Sequence, residues 1–156
     1  MLPAGTLATG AVATAGPRFD AARVRLDVEI DAGAPLVRVD PERLAEVLAN
    51  LLDNALRHTS AGGAVRVVVR ADRGATGPAV AVLEVVDTGE DFDPADANRI
   101  FERCYRSDAS RTHTAAGSGI GLTIARAIVE AHGGTRTAAL ADVGPGAVFR
   151  ITLPAV

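Results

Sequence analysis

Two asparagines four residues apart, Asn50 and Asn54, stand in the run LAEVLANLLDNALRHT. On a helix that spacing stacks both side chains along one face, about 6 Å apart. A carboxamide oxygen is a hard, neutral donor. It suits Mg²⁺, an ion that keeps several waters and takes most of its other ligands from substrate phosphates. Either asparagine could serve, and the geometry favours Asn54. Arg57 and His58 prolong the same surface by one turn. There a guanidinium can pair with phosphate oxygens, and an imidazole can lie against a flat ring or a polar edge.

Two further constellations follow downstream. Asp87-Thr88-Gly89 puts a carboxylate at a strand end with a glycine just after it. Such a carboxylate can accept a hydrogen bond from an exocyclic amine while the backbone bends close by. The same tripeptide is also ordinary turn chemistry. Gly117-Ser118-Gly119-Ile120-Gly121-Leu122 carries three alternating glycines. They leave backbone N–H groups free to surround an anion, and a helix starting behind them adds a dipole that favours phosphate. Glycines can equally be loop punctuation. Arg103, Arg106 and Arg111, just upstream, bring positive charge to the same mouth.

The elements that must hold these residues are legible from periodicity. Strict alternation over Arg23 to Ile30 predicts a half-buried strand with Val24, Leu26, Val28 and Ile30 inward. Asp40-Pro41-Glu42 supplies an N-cap, a proline for the first helical position and an acidic first turn, so a helix is expected from about Pro41 to His58. Leu44, Val47, Leu48, Leu51, Leu52 and Ala55 recur at steps of three and four and form its buried stripe. Val65 to Arg70 and Val80 to Asp87 read as a hairpin around a Gly/Pro loop.

Asp93-Pro94 opens a short helix through Phe101, and residues 103–118, without periodicity, read as a lid-like surface loop. A well-buried helix, apolar almost all round, is expected from Gly119 to His132, closed by Gly133-Gly134. Strands at Thr135–Leu140 and Ala147–Leu153 complete the pattern. Residues 1–22, mostly Ala, Gly and Thr, are expected to be weakly structured or a short docking segment. The predicted fold is a two-layer α/β (α+β) sandwich, with a mixed, mostly antiparallel sheet and about three helices on one face.

Composition bounds the function. The chain has 156 residues, 48% of them hydrophobic, enough for one packed domain. A formal net charge of -3 offers no basic footprint for nucleic acid or anionic membrane. No apolar run reaches the ~18–20 residues that span a bilayer, and no basic region opens the chain as in a secretory signal, so it reads as cytoplasmic. Cys104 is the sole cysteine, which excludes an internal disulfide.

Taken in order, LAEVLANLLDNALRHT, DTGED, FERCYR and GSGIGLTIARAIVEAHGG resemble the four sequence boxes of the histidine-kinase ATP-binding domain, in the superfamily shared with gyrase, Hsp90 and MutL. The resemblance covers roughly residues 23–154 and implies a Bergerat-type fold, with nucleotide between the asparagine helix and the glycine-rich lid. It implies ATP and Mg²⁺ as cofactors, Asn54 as the Mg²⁺ ligand and Asn50 as its companion near the phosphates. It further implies Asp87 as the adenine reader with Gly89 beside it, and Gly117 to Leu122, Ser118 and Ile120 included, as the phosphate-side backbone. By the same resemblance Arg57, Arg106 and Arg111 contact phosphates and His58 lies against adenine.

Hydrolytic members and related serine kinases are similar to one another in carrying glutamate where this chain has Asn50. Asparagine cannot act as that base. An imidazole acceptor is already nucleophilic, so the domain need only position and neutralise the γ-phosphoryl group. The resemblance thus implies transfer to histidine, with Asn50, Asn54 and Arg57 carrying the step and a response regulator downstream. Two departures stand out. Asp91 replaces the second glycine of the first glycine box, where a carboxylate crowds the backbone or repels phosphate. The helical hairpin that bears the acceptor histidine in the family is also missing, and none of His58, His113 and His132 sits in an acceptor-like helix. The expected acceptor is therefore a dimerisation domain or separate protein, as in a fragment or a naturally split kinase. The alternatives are a degenerate nucleotide-binding module, or an ATPase or serine kinase of the same fold.

Overall fold

A computed structural model of the chain describes residues 1–89, 93, 95, 120–142 and 144–156. In chain order these form β1 (Leu2–Pro3), α1 (Ala4–Ala21), β2 (Arg25–Ile30), β3 (Leu36–Val37), α2 (Pro41–His58), β4 (Ala64–Asp72), β5 (Val80–Asp87), α3 (Ile120–Ala131), β6 (Thr135–Leu140) and β7 (Ala147–Pro154). The short helix expected over 93–101 and the loop over 103–118 lie outside the described residues.

Five strands make one sheet in the order β2-β4-β5-β7-β6. β2 pairs parallel with β4, and the other three pairings are antiparallel. β1 and β3 form a separate antiparallel pair. The expected two-layer sandwich is what the chain builds. The register explains why it has two layers rather than three, because residues of one parity share a face. Val65, Val67, Val69, Leu83, Val85, Phe149, Ile151 and Leu153 point to the buried side. The opposite side carries ion pairs instead: Glu29 with Arg66 at 3.4 Å, and Glu84 with Arg150 at 2.5 Å and Arg70 at 3.6 Å. A face laced with paired charges stays in water, so the helices gather on the apolar side.

α2 starts where the sequence says it should. The Asp40 side chain accepts from the N–H groups of Glu42 at 3.0 Å and Arg43 at 3.2 Å, with Pro41 in the first turn. Its stripe of Leu44, Val47, Leu48, Leu51, Leu52 and Ala55 is fully buried. Each large side chain there contributes roughly 1.5–3 kcal/mol. α3 differs from expectation: it buries Leu122, Ala125, Ile128 and Val129 on one face, while Arg126 and Glu130 pair at 3.1 Å on the other. Ile30, expected inward at the end of β2, is 42% exposed.

The larger correction is at the start of the chain. Residues 1–22, expected to be weakly structured or a short docking segment, contain an 18-residue helix that buries Ala4, Leu7, Ala8, Ala15 and Phe19. The stripe has helical spacing but is built mainly from alanine, so its hydrophobicity is low while its fit is close. Small side chains let α1 approach the core, and Phe19 supplies the anchor. Arg18 then pairs with Asp53 of α2. Among the described residues, no helix is long and apolar enough to cross a membrane.

Candidate functional site

The C-terminal half of α2, the end of β5, the start of β7 and the start of α3 converge at one end of the sheet. Asn50, Asn54, Arg57 and His58 all lie on α2. Asn54 is 7% exposed, one of the few buried polar residues. Asn50 packs under Gly121 of α3, so close that a methyl group on Gly121 would meet the carboxamide oxygen at 3.3 Å. Its Nδ2 is buried and meets no acceptor among the described residues. A buried unsatisfied donor costs about 1–3 kcal/mol unless something supplies an acceptor. An anionic ligand, or water held by one, would do so.

Arg57 is exposed at the last turn of α2, and His58 is half-buried. His58, Ser60, Ala61, Gly63, Thr88 and Gly89 line an open cleft of about 300 Å³. Glycine is demanded at its floor. A Cβ on Gly89 would lie 2.0 Å from the His58 carbonyl oxygen, and one on Gly63 would lie 2.5 Å from Thr59 Cγ2. The walls therefore come within van der Waals reach only because two side chains are missing.

Asp87 is the most buried charged residue described, at 1% exposure. Its Oδ1 accepts from Gly89 N–H at 2.9 Å and from Ala147 N–H at 3.2 Å. The turn beyond it is locked to β4: Thr88 N–H donates to Ala64 O at 3.1 Å, and Ala64 N–H donates back to Thr88 Oγ1 at 3.0 Å. Backbone amides thus hold a buried carboxylate next to Thr88 and Gly89 of the cleft wall; a carboxylate is a hydrogen-bond acceptor for a polar ring edge.

At the other wall Ile120, Gly121 and Leu122 form the first turn of α3, with Leu122 buried and Ile120 exposed. Gly117, Ser118 and Gly119 lie outside the described residues, as do Asp91, Arg103, Cys104, Arg106, Arg111 and His113. The structure thus brings Asn50 to Gly121, Asp87 to Gly89, and Gly89 to His58. Gly63, Gly146 and Ala147 also belong to this cluster and were not singled out from the sequence. The only signal was Gly144-Pro145-Gly146 immediately before a strand, which reads as a turn whatever it packs on.

Residues 39–156 match the family of histidine kinase-, DNA gyrase B-, and HSP90-like ATPases. Among curated relatives, the sensor protein SphS of Synechococcus elongatus is 44% identical over 124 residues, covering 76% of this chain and 29% of SphS. The chain therefore spans under a third of that relative's length. Among solved structures, the mycobacterial sensor histidine kinase MprB is 28% identical with a TM-score of 0.75, over 95% of this chain and 94% of that one. Full-length ShkA, solved in complex with AMPPNP, is 25% identical with a TM-score of 0.80, over 99% of this chain and 31% of ShkA.

Proposed function

Since the chain belongs to the family of histidine kinase-, DNA gyrase B-, and HSP90-like ATPases, we propose that it binds Mg-ATP and transfers the γ-phosphoryl group to a histidine on a separate domain or polypeptide. The observation that carries this reading is the Asn50 carboxamide, packed under Gly121 with a buried Nδ2 donor that finds no protein acceptor among the described residues. Phosphate oxygens supply what that donor lacks. The complex of ShkA with AMPPNP, an ATP analogue, supports adenine nucleotide as the ligand class.

In this reading Asp87 accepts from the exocyclic amine of adenine, with Gly89 beneath the ring and His58 beside it. Gly117 to Leu122 enclose the phosphates through backbone amides, with Arg57, Arg106 and Arg111 adding charge. Asn54 fits Mg²⁺ as a hard, neutral oxygen donor next to the phosphate site. When bound, the ion neutralises phosphate charge. Asn50 orients the triphosphate rather than taking a proton, because a carboxamide has no basic lone pair at neutral pH. The acceptor imidazole nitrogen forms the P–N bond as the bond from γ-phosphorus to the bridging oxygen breaks, and ADP leaves. A response regulator then receives the phosphoryl group from that histidine.

The test is to incubate the chain with γ-labelled ATP, Mg²⁺ and a histidine-bearing dimerisation domain. Acid-labile label on that domain is expected, lost with Asn54→Ala. ATP binding without any label on the partner would sink the transfer step and leave a nucleotide-binding module.

A further inference from the structure

The strand pairing between β5 and β7 runs to Val86 and Val148 and stops one position short of Asp87 and Ala147. At that position the Ala147 N–H donates to the Asp87 side chain, to Oδ1 at 3.2 Å. The same oxygen accepts from Gly89 N–H at 2.9 Å. Two amides, one from the turn after β5 and one from the first residue of β7, both on one oxygen, fix the plane of the carboxylate and hence the direction of its lone pairs.

Gly146 makes that arrangement possible. Its φ of 129° belongs to the region that side chains avoid. A Cβ there would lie 1.9 Å from the Asp87 carbonyl oxygen and 2.8 Å from its carbonyl carbon, so no side chain fits while β7 keeps this approach. Neighbouring Gly144 also has a positive φ, 73°, but a Cβ on it would meet nothing within 4 Å. The two glycines of one turn thus separate contact from conformation.

We infer that Gly146 and the Ala147 amide are positioning residues for purine selection: they aim the Asp87 carboxylate at an exocyclic amine, so β7 sets the preference for adenine over guanine. This rests on the reading of Asp87 as the adenine acceptor. An amine donates to a carboxylate, whereas the corresponding oxygen of guanine repels it, and discrimination therefore depends on the carboxylate holding its direction.

The experiment measures ATP and GTP affinities for the unaltered chain and for Gly146→Ala, Ala147→Pro, Gly144→Ala and Asp87→Asn, with folding checked by circular dichroism. Proline is tolerated at a strand's first residue, and it removes the N–H while its ring brings Cδ toward the Asp87 carboxylate. Gly146→Ala and Ala147→Pro are expected to lower the ATP-to-GTP preference by about tenfold or more, toward that of Asp87→Asn, as loss of a hydrogen bond to a charged group implies. Gly144→Ala is expected to keep the preference while lowering the melting temperature. An unaltered chain with no adenine preference would refute the reading of Asp87 itself. A normal preference in the unaltered chain that survives in both folded variants would refute the role of β7. If neither variant folds, hydrogen exchange decides: the Ala147 amide should lose protection in Asp87→Ala, and unchanged protection overturns the inference.

Discussion

Gly121, at the start of α3, rests directly on the Asn50 carboxamide of α2: a methyl group added to it would meet Oδ1 at 3.3 Å and Cγ at 3.4 Å. A glycine inside a helix ordinarily costs roughly 0.5–1 kcal/mol against alanine. Gly121→Ala should return part of that, so its melting temperature is expected to hold or rise slightly. The added methyl pushes the carboxamide aside by a few tenths of an ångström, and Mg-ATP affinity should fall about tenfold, as displacement of one polar contact implies. Calorimetric titration beside a melting curve checks both. Loss of affinity together with collapse of the fold would mean that Gly121 serves only helix contact.

Gly89 presents the opposite case, because the atoms in its way are backbone. A Cβ there would lie 2.0 Å from the His58 carbonyl oxygen and 2.6 Å from its carbon. Neither the end of α2 nor the Asp87 turn can yield by rotating a side chain. Gly89→Ala is expected to cost about 2–3 kcal/mol, in the range of overpacking into a rigid site, and to abolish nucleotide binding. Urea denaturation followed by titration measures the two losses. Near-native stability would show that the turn relaxes freely and that the cleft floor is softer than its contacts imply.

The features legible in the sequence were those with a strong local cause. The Asp40 cap, Pro41 and the leucine stripe fix α2 from Pro41 to His58, and valine-rich runs on either side of a Gly/Pro loop mark β4 and β5. Asn50, Asn54 and Asp87 could be singled out because each sits in a short motif. Gly146 and Ala147 could not, since their partner, Asp87, is 60 positions away in sequence for Ala147, and no local pattern encodes a meeting of strand ends. α1 escaped for a different reason: a stripe of alanines carries little hydrophobic signal, yet alanine is what permits close approach. Fit, unlike hydrophobicity, depends on the surface opposite.

That argument makes α1 the sharpest stability test. Phe19 is fully buried, in one core with Val24, Leu44 and Leu51. Truncation of a buried phenylalanine typically costs about 3–5 kcal/mol. Phe19→Ala should therefore destabilise the whole domain in a single cooperative transition. A weakly structured segment would show a change within about 0.5 kcal/mol, the range of exposed substitutions, and equilibrium denaturation separates the two outcomes.

His132 closes the far end of the α2–α3 pair. Its Nε2 accepts from Asp40 N–H at 3.1 Å, so the ring proton resides on Nδ1, which donates to Ile128 O at 2.8 Å. The imidazole thereby satisfies a backbone donor next to the α2 cap while staying tied to the last turn of α3. Substituting alanine removes both side-chain bonds; the Ile128 carbonyl keeps the backbone N–H of residue 132, so the Asp40 amide alone loses its protein partner, for an expected loss of about 1 kcal/mol. Asparagine can keep the bond to Ile128 but is too short to reach Asp40, so His132→Asn should recover only part of the loss. Full recovery would assign the residue to α3 termination alone. Partial recovery would show that the bond from the Asp40 N–H to the ring also fastens the end of α3 to the start of α2.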